Sequence, residues 1–138
     1  IERRAFLAQM VQDDVLSVFG IMTKEIRVGR VTSADSNCAV NTLALDVSAS
    51  AGSSYSVTYA LNTTTGIVER QTGGNTFYIS SSDVVFNSLV FCISNSGLDN
   101  QPTRVTILAN VSNRIGQPMT MKVQATLTPR DITDELLN

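Results

Sequence analysis

The sequence predicts an α+β fold, in which a long N-terminal amphipathic helix packs on an antiparallel β-sheet. Three observations lead there. Residues 1–30 lack proline and hold nine of the 22 charged side chains, while the remaining 108 residues are rich in Ser, Thr, Asn and Val, the residues of strands and turns. The apolar spacing is helical before Val31 and alternates after it. With 138 residues, 43% of them apolar, the chain fits one domain, 1–138, with a helix over 1–31 and a β region over 32–138. A chain of this size buries roughly 68% of its unfolded surface, so a core can hold it without a metal.

The helix rests on periodicity. Stepped at 100° per residue, Leu7, Met10, Val11, Val15, Val18, Ile21, Met22 and Ile26 share an arc about 180° wide, with Gln9, Gln12, Asp13, Thr23, Lys24 and Arg27 opposite. Asp14 and Glu25 intrude on the apolar arc. An unpaired buried carboxylate is costly, so each is expected at the rim or against an arginine. Phe6 and Leu16 lie on the polar side, and Gly20 lies off the apolar arc.

Residues 32–37 read as a polar connection. Tyr55, Val57, Tyr59 and Leu61 share one strand face, Asn62-Thr63-Thr64-Thr65-Gly66 makes a turn, and residues 67–71 return as the hairpin partner. Gly73-Gly74 turns the chain into Phe77-Tyr78-Ile79. Residues 84–93 form a strand apolar on both faces, expected at a central position, with Leu89, Phe91 and Ile93 on one side. A loop over 94–102 ends at Pro102, a residue of edges and strand starts. Then Val105, Ile107, Ala109 and Val111 mark another strand, residues 113–118 turn, and Met119, Met121, Val123, Ala125 and Leu127 alternate with polar residues, as on a half-buried antiparallel strand.

Composition narrows the chemistry. The net charge of −2 offers no basic face for a phosphate backbone, so no nucleic-acid partner is expected. The chain has no histidine and no tryptophan, which removes the usual metal ligand and general base, and no catalytic, cofactor-binding or metal-binding residue is assigned. No apolar run approaches the ~20 residues of a membrane span. Ser80-Ser81-Ser82-Asp83 has no base and reads as a turn. Asp99-Asn100 lacks the Asp-x-Asp spacing and bidentate glutamate of a calcium loop. Asn62-Thr63-Thr64 and Asn110-Val111-Ser112 fit the glycosylation sequon, a short and unselective pattern. Asp46, Glu69 and Asp83 are the carboxylates an enzyme of the glycosidase kind would use, but no motif pairs them. Cys38 and Cys92 form the one possible disulfide pair if the domain is exported; two buried free thiols are the alternative.

The order of several pieces carries a resemblance: the helix ending in Glu25-Ile26-Arg27, the hairpin from Tyr59-Ala60-Leu61-Asn62 to Gly66-Ile67-Val68-Glu69-Arg70, the Asn-Ser-Leu-Val-Phe run ending at Phe91, Arg104-Val105-Thr106-Ile107, and Gln124-Ala125-Thr126-Leu127-Thr128-Pro129-Arg130. Over nearly its whole length the chain resembles the minor subunits of type IV pili and the J-type pseudopilins of type II secretion. That resemblance implies a pilin-like fold and a precursor with a basic leader, a cleavage site before phenylalanine and some twenty apolar residues. None of these is in the 138 residues, and the chain is read as the soluble part that follows such an anchor.

The resemblance further implies a structural, non-enzymatic role in a filament or tip complex. Its partners would be other pilin or pseudopilin subunits, and the inner membrane through the N-terminal anchor. The protein would be periplasmic or in a cell-surface filament, its precursor in the inner membrane. The helix side opposite the apolar arc is then the expected contact surface, with Phe6, Gln9, Asp13 and Leu16 as the residues meeting neighbours, and mixed charges there setting register and partner choice. The alternative is a surface-exposed adhesin or ligand-binding tip module, its grip provided by a loop such as residues 95–101.

Overall fold

A computed structural model describes residues 2–48, 53–95, 103–116 and 119–128, with side chains from Phe6 onward. Helix α1 spans Glu2–Val28, with Arg27 in its last turn, where a cation complements the carbonyl end of the helix. It stops three residues short of the sequence expectation because of Gly29. A Cβ there would stand 2.6 Å from Leu45 Cδ1 and 3.1 Å from the carbonyl oxygens of Asp46 and Glu25. The missing side chain lets the backbone press against its neighbour, so the chain leaves the helix directly as a strand.

Nine strands follow among the described residues: β1 (Gly29–Val31), β2 (Ser36–Val40), β3 (Thr42–Ser48), β4 (Ser54–Asn62), β5 (Ile67–Thr72), β6 (Asn75–Tyr78), β7 (Val84–Ser94), β8 (Arg104–Asn113) and β9 (Thr120–Leu127). They form two antiparallel sheets, ordered β1-β3-β4-β5-β6 and β2-β7-β8-β9. This overturns the expected α+β layout of one helix on one sheet: the fold is β-rich, with a single described helix and two sheets. The reason is coverage. A helix is about 10 Å wide and strands lie about 4.8 Å apart, so one helix shields about two strands. Nine strands with apolar faces need a second cover, and a second sheet provides it.

The chain changes sheets at two places. Between β2 and β3 only Asn41 intervenes, yet β2 pairs with β7 while β3 inserts between β1 and β4. After β6 the turn at Ser82 and Asp83 opens into β7, which pairs with β8. Helix α1 touches β8 and β9 on one side and β1 and β3 on the other, while β7 approaches β3, β4 and β5. The core therefore has three walls. Val11, Val15, Val18, Phe19, Met22 and Ile26 enter from the helix, and Tyr59, Phe86 and Phe91 are its largest fully buried side chains. Ile21, placed in the apolar arc by periodicity, is 39% exposed, and Phe19 is buried in its stead.

Strand β7 lies between β2 and β8, at the expected central position. A bulge between Phe86 and Ser88 shifts its phase. Val84 and Phe86 before the bulge, and Leu89, Phe91 and Ile93 after it, therefore all face the core. The two sheets are joined at one end by the Phe86 N–H, which donates to the Gly66 carbonyl at 2.9 Å. Gly66 sits at φ 74°, and a Cβ there would meet Val85 Cγ1 at 2.8 Å, so glycine fits this crossing on both counts. Arg114 fastens the same end by donating to the carbonyls of Ser82 and Thr65, each at 2.8 Å. Cys38 and Cys92 are joined by a disulfide across the β2–β7 pair, their Cα atoms 4.2 Å apart. Cys38 lies in the irregular stretch between Ser36 and Val40, at φ 58°.

Candidate partner-binding face of the N-terminal helix

The helix face turned away from the core is not uniformly polar. Phe6 is 67% exposed and Leu16 60% exposed, and Gln9 and Asp13 stand between them at helical spacing. Phe6, Gln9 and Asp13 line a shallow cleft of about 380 Å³, together with Met10, Asp14, Ser17, Ser81 and Val84. The structure thus brings three of the four sequence-predicted contact residues to one concavity. Leu16 shares the exposed face but lies outside the cleft.

Asp14 forms the floor of one side. The Ser81 backbone N–H donates to both carboxylate oxygens, at 3.1 and 3.3 Å. Burial pushes the Asp14 carboxyl up from its ordinary pKa, the Ser81 N–H opposes this, and the nearby Asp83 charge adds to it. Among the described residues no cation pairs with Asp14. The turn carrying Ser81 is fixed from within: the Asp83 N–H donates to Ser81 Oγ at 2.9 Å, and the Val68 N–H donates to the buried Ser80 Oγ at 2.8 Å. Ser80 thus ties the turn to β5, while the Ser81 N–H ties it to the helix.

The second acid of the apolar arc has a different fate. Arg70 grips Glu25 in a two-pronged ion pair, Nε to Oε1 at 3.0 Å and Nη2 to Oε2 at 2.7 Å. The hydroxyls of Tyr59 and Tyr55 also donate to Glu25. Burial alone would raise the Glu25 pKa, but Arg70 and the tyrosines outweigh it and hold the carboxyl below its usual value. Tyr59 is pushed far up, by burial first and by the Glu25 charge beside it. With the acid, its cation and its donors all satisfied, this cluster anchors the helix C-terminal end to β4 and β5.

Of the carboxylates weighed for catalysis, Asp46 accepts from Ser56 Oγ at 2.8 Å and Glu69 from Asn62 Nδ2 at 3.3 Å. Asp83 lies in the turn before β7. Asn62 Oδ1 caps its own turn by accepting from the Thr64 and Thr65 N–H groups. Asn110 donates to Ser88 Oγ at 3.1 Å. Most of the loop proposed for an adhesin, including Asp99 and Asn100, lies outside the described residues, as do Pro129 and Arg130 of the resemblance. Among the described residues no group of three His, Cys, Asp or Glu side chains is arranged to hold a metal, and no helix is long and apolar enough to cross a membrane.

Sequence reasoning missed Met10, Ser17, Ser81 and Val84 as members of the cleft. Periodicity places Met10 on the core-facing arc, and the contact between a helix and a turn 67 residues later leaves no local pattern. Asp14 did leave a signal, as an acid within the apolar arc. No known protein family, curated protein or solved structure matches this chain.

Proposed function

We propose that this protein is a structural minor subunit of a type IV pilus or type II secretion pseudopilus, acting through assembly. The observation that carries this reading is the outer face of α1. One side of the helix is fixed in the core by six buried residues, while the opposite side presents Leu16 to solvent and Phe6 at the mouth of a cleft. Exposed apolar residues beside charged ones suit a contact with other protein surfaces. The proposed partners are other pilin or pseudopilin subunits, with an anchor preceding residue 1 holding the precursor in the inner membrane and the domain itself periplasmic or in a surface filament.

The test is a double substitution, Asp13→Arg with Leu16→Glu, placed in the full-length protein in its own cell. Both positions are exposed, and such changes shift stability by about 0.5 kcal/mol or less. Thermal unfolding should therefore stay near wild type while filament assembly or secretion fails. Normal assembly with a folded double variant would remove the basis of the reading.

One observation favours the second reading, a ligand-binding tip module. Tyr55 is 40% and Phe77 49% exposed, and the pairing of Tyr59 with Arg70 and of Arg70 with Phe77 puts these aromatic residues on one sheet face beside the Glu25 cluster. Exposed rings next to a polar cluster suit a sugar or peptide ligand. Assembly unaffected by Phe77→Ala, with loss of surface adhesion, would favour that reading.

A further inference from the structure

We propose that the cleft on α1 receives a single lysine or arginine side chain from a neighbouring subunit, its alkyl stem against Phe6, Met10 and Val84 and its charged head between Asp13 and Asp14. The proposal rests on the assembly reading and names the chemistry of the partner. The cleft, about 380 Å³ in volume, is larger than one lysine or arginine side chain and admits it together with its hydration water. Its walls divide into an apolar part and an acidic part, the division along a lysine or arginine side chain.

Charge decides the class of occupant. Asp13 and Asp14 line the cleft and Asp83 lies close enough to raise the cost of ionising Asp14. The one described cation engaged with a carboxylate is Arg70, held on Glu25 at the other end of the helix. A neutral partner docking over the cleft would bury Asp14 further with no opposing charge, an unfavourable desolvation of an ion. An anionic partner would add repulsion. A cation turns the same burial into an attraction, and the exposed Phe6 ring offers it a favourable face. Three carboxylates or other ligands converging on one point, as a bound metal ion requires, are not found among the described residues. A cation delivered on a side chain fits better than a free ion.

Two side-chain mimics test this on the 138-residue chain by amide chemical shifts in ¹⁵N-labelled protein: n-butylguanidinium as the cation and n-butyrate as the anionic control. The cation should shift the amides of Gln9, Asp13, Ser17 and Ser81 saturably, in the millimolar range expected of a ligand this small. Asp13→Asn and Asp14→Asn should each weaken the effect several-fold, and Asp13→Asn leaves the Asp14 bond to Ser81 in place should the second variant fold poorly. Absence of saturable shifts, equal shifts with butyrate, or shifts unchanged in Asp13→Asn would overturn the assignment. Such a failure would leave the assembly test standing. Cation binding combined with normal assembly in the Asp13→Arg, Leu16→Glu variant would instead overturn the neighbouring subunit as the donor.

Discussion

Glu25 and Asp14 occupy comparable positions on the inner edge of the same helix and behave oppositely. Glu25 has an arginine and two tyrosine hydroxyls, so its carboxylate is favoured in the folded state and its pKa is lowered. Its contribution to stability is therefore complete above the ordinary glutamate range and is lost as pH falls through the lowered folded value. Asp14 is pushed up by burial, which the single Ser81 N–H opposes without overcoming and to which the Asp83 charge adds. Its ionisation opposes folding at neutral pH, and that penalty shrinks as pH falls through the raised value and is gone below the ordinary aspartate range. Replacing Glu25 with Gln should cost about 2 kcal/mol at pH 7, because the half-buried Arg70 loses its counter-charge. Urea titrations should show that cost shrinking as the wild-type carboxyl protonates; an effect below ~0.5 kcal/mol, or one independent of pH, would contradict the role given to the pair. Sequence alone announced both acids as exceptions in the apolar arc, but not their partners. Arg70 is 45 residues from Glu25 and Ser81 is 67 from Asp14, separations that only the folded topology closes.

At the scale of elements, the helix was the most legible part of the sequence, because 3.6-residue periodicity from Leu7 to Ile26, about five turns, is hard to mistake. Its end was less so: Gly29 looks like an ordinary helix stop, yet its neighbour Leu45 decides how the chain departs. Two glycines give opposite expectations. At Gly20 a Cβ meets nothing within 4 Å, so Gly20→Ala should raise stability by roughly 0.5–1 kcal/mol through helix propensity. Gly29→Ala forces a methyl group onto Leu45 Cδ1 at 2.6 Å and should cost about 1–3 kcal/mol. Thermal melts of the two variants check both signs, and a destabilised Gly20→Ala would mean that the helix is not regular there. The hairpin of β4 and β5 and the strands β7, β8 and β9 were readable from alternation and turn residues. Strands β2 and β3 are not assigned by the sequence reading, which takes residues 32–37 as a polar connection, although Leu43, Leu45 and Val47 alternate in β3. The bulge in β7 hid the inward direction of Val84 and Phe86, because a period of two does not show where it slips.

For the whole molecule, the expectation of one sheet failed because pairing consecutive strands is a local rule and coverage of the core is a global one. The second sheet also gives the disulfide its place, since Cys38 and Cys92 meet only when β2 crosses to pair with β7. A bridge spanning 54 residues contributes about 4 kcal/mol in the chain-entropy model. Reduction should lower the urea midpoint accordingly, and the denatured, unreduced chain should titrate no free thiols; two titratable thiols would reject the bridge. The same architecture leaves Leu16 exposed, and Phe6 and Asp13 at an open cleft beside the start of β7, and it is this face that the assembly reading needs. The most direct measurement places a photo-crosslinking amino acid at position 16 of the full-length protein in its own cell, with position 78 on the exposed strand β6 as the comparison. Filament assembly through the helix requires strong crosslinks from position 16 to another pilin or pseudopilin subunit and weak ones from position 78. Crosslinks from position 78 to a non-filament partner, with none from position 16, would contradict it.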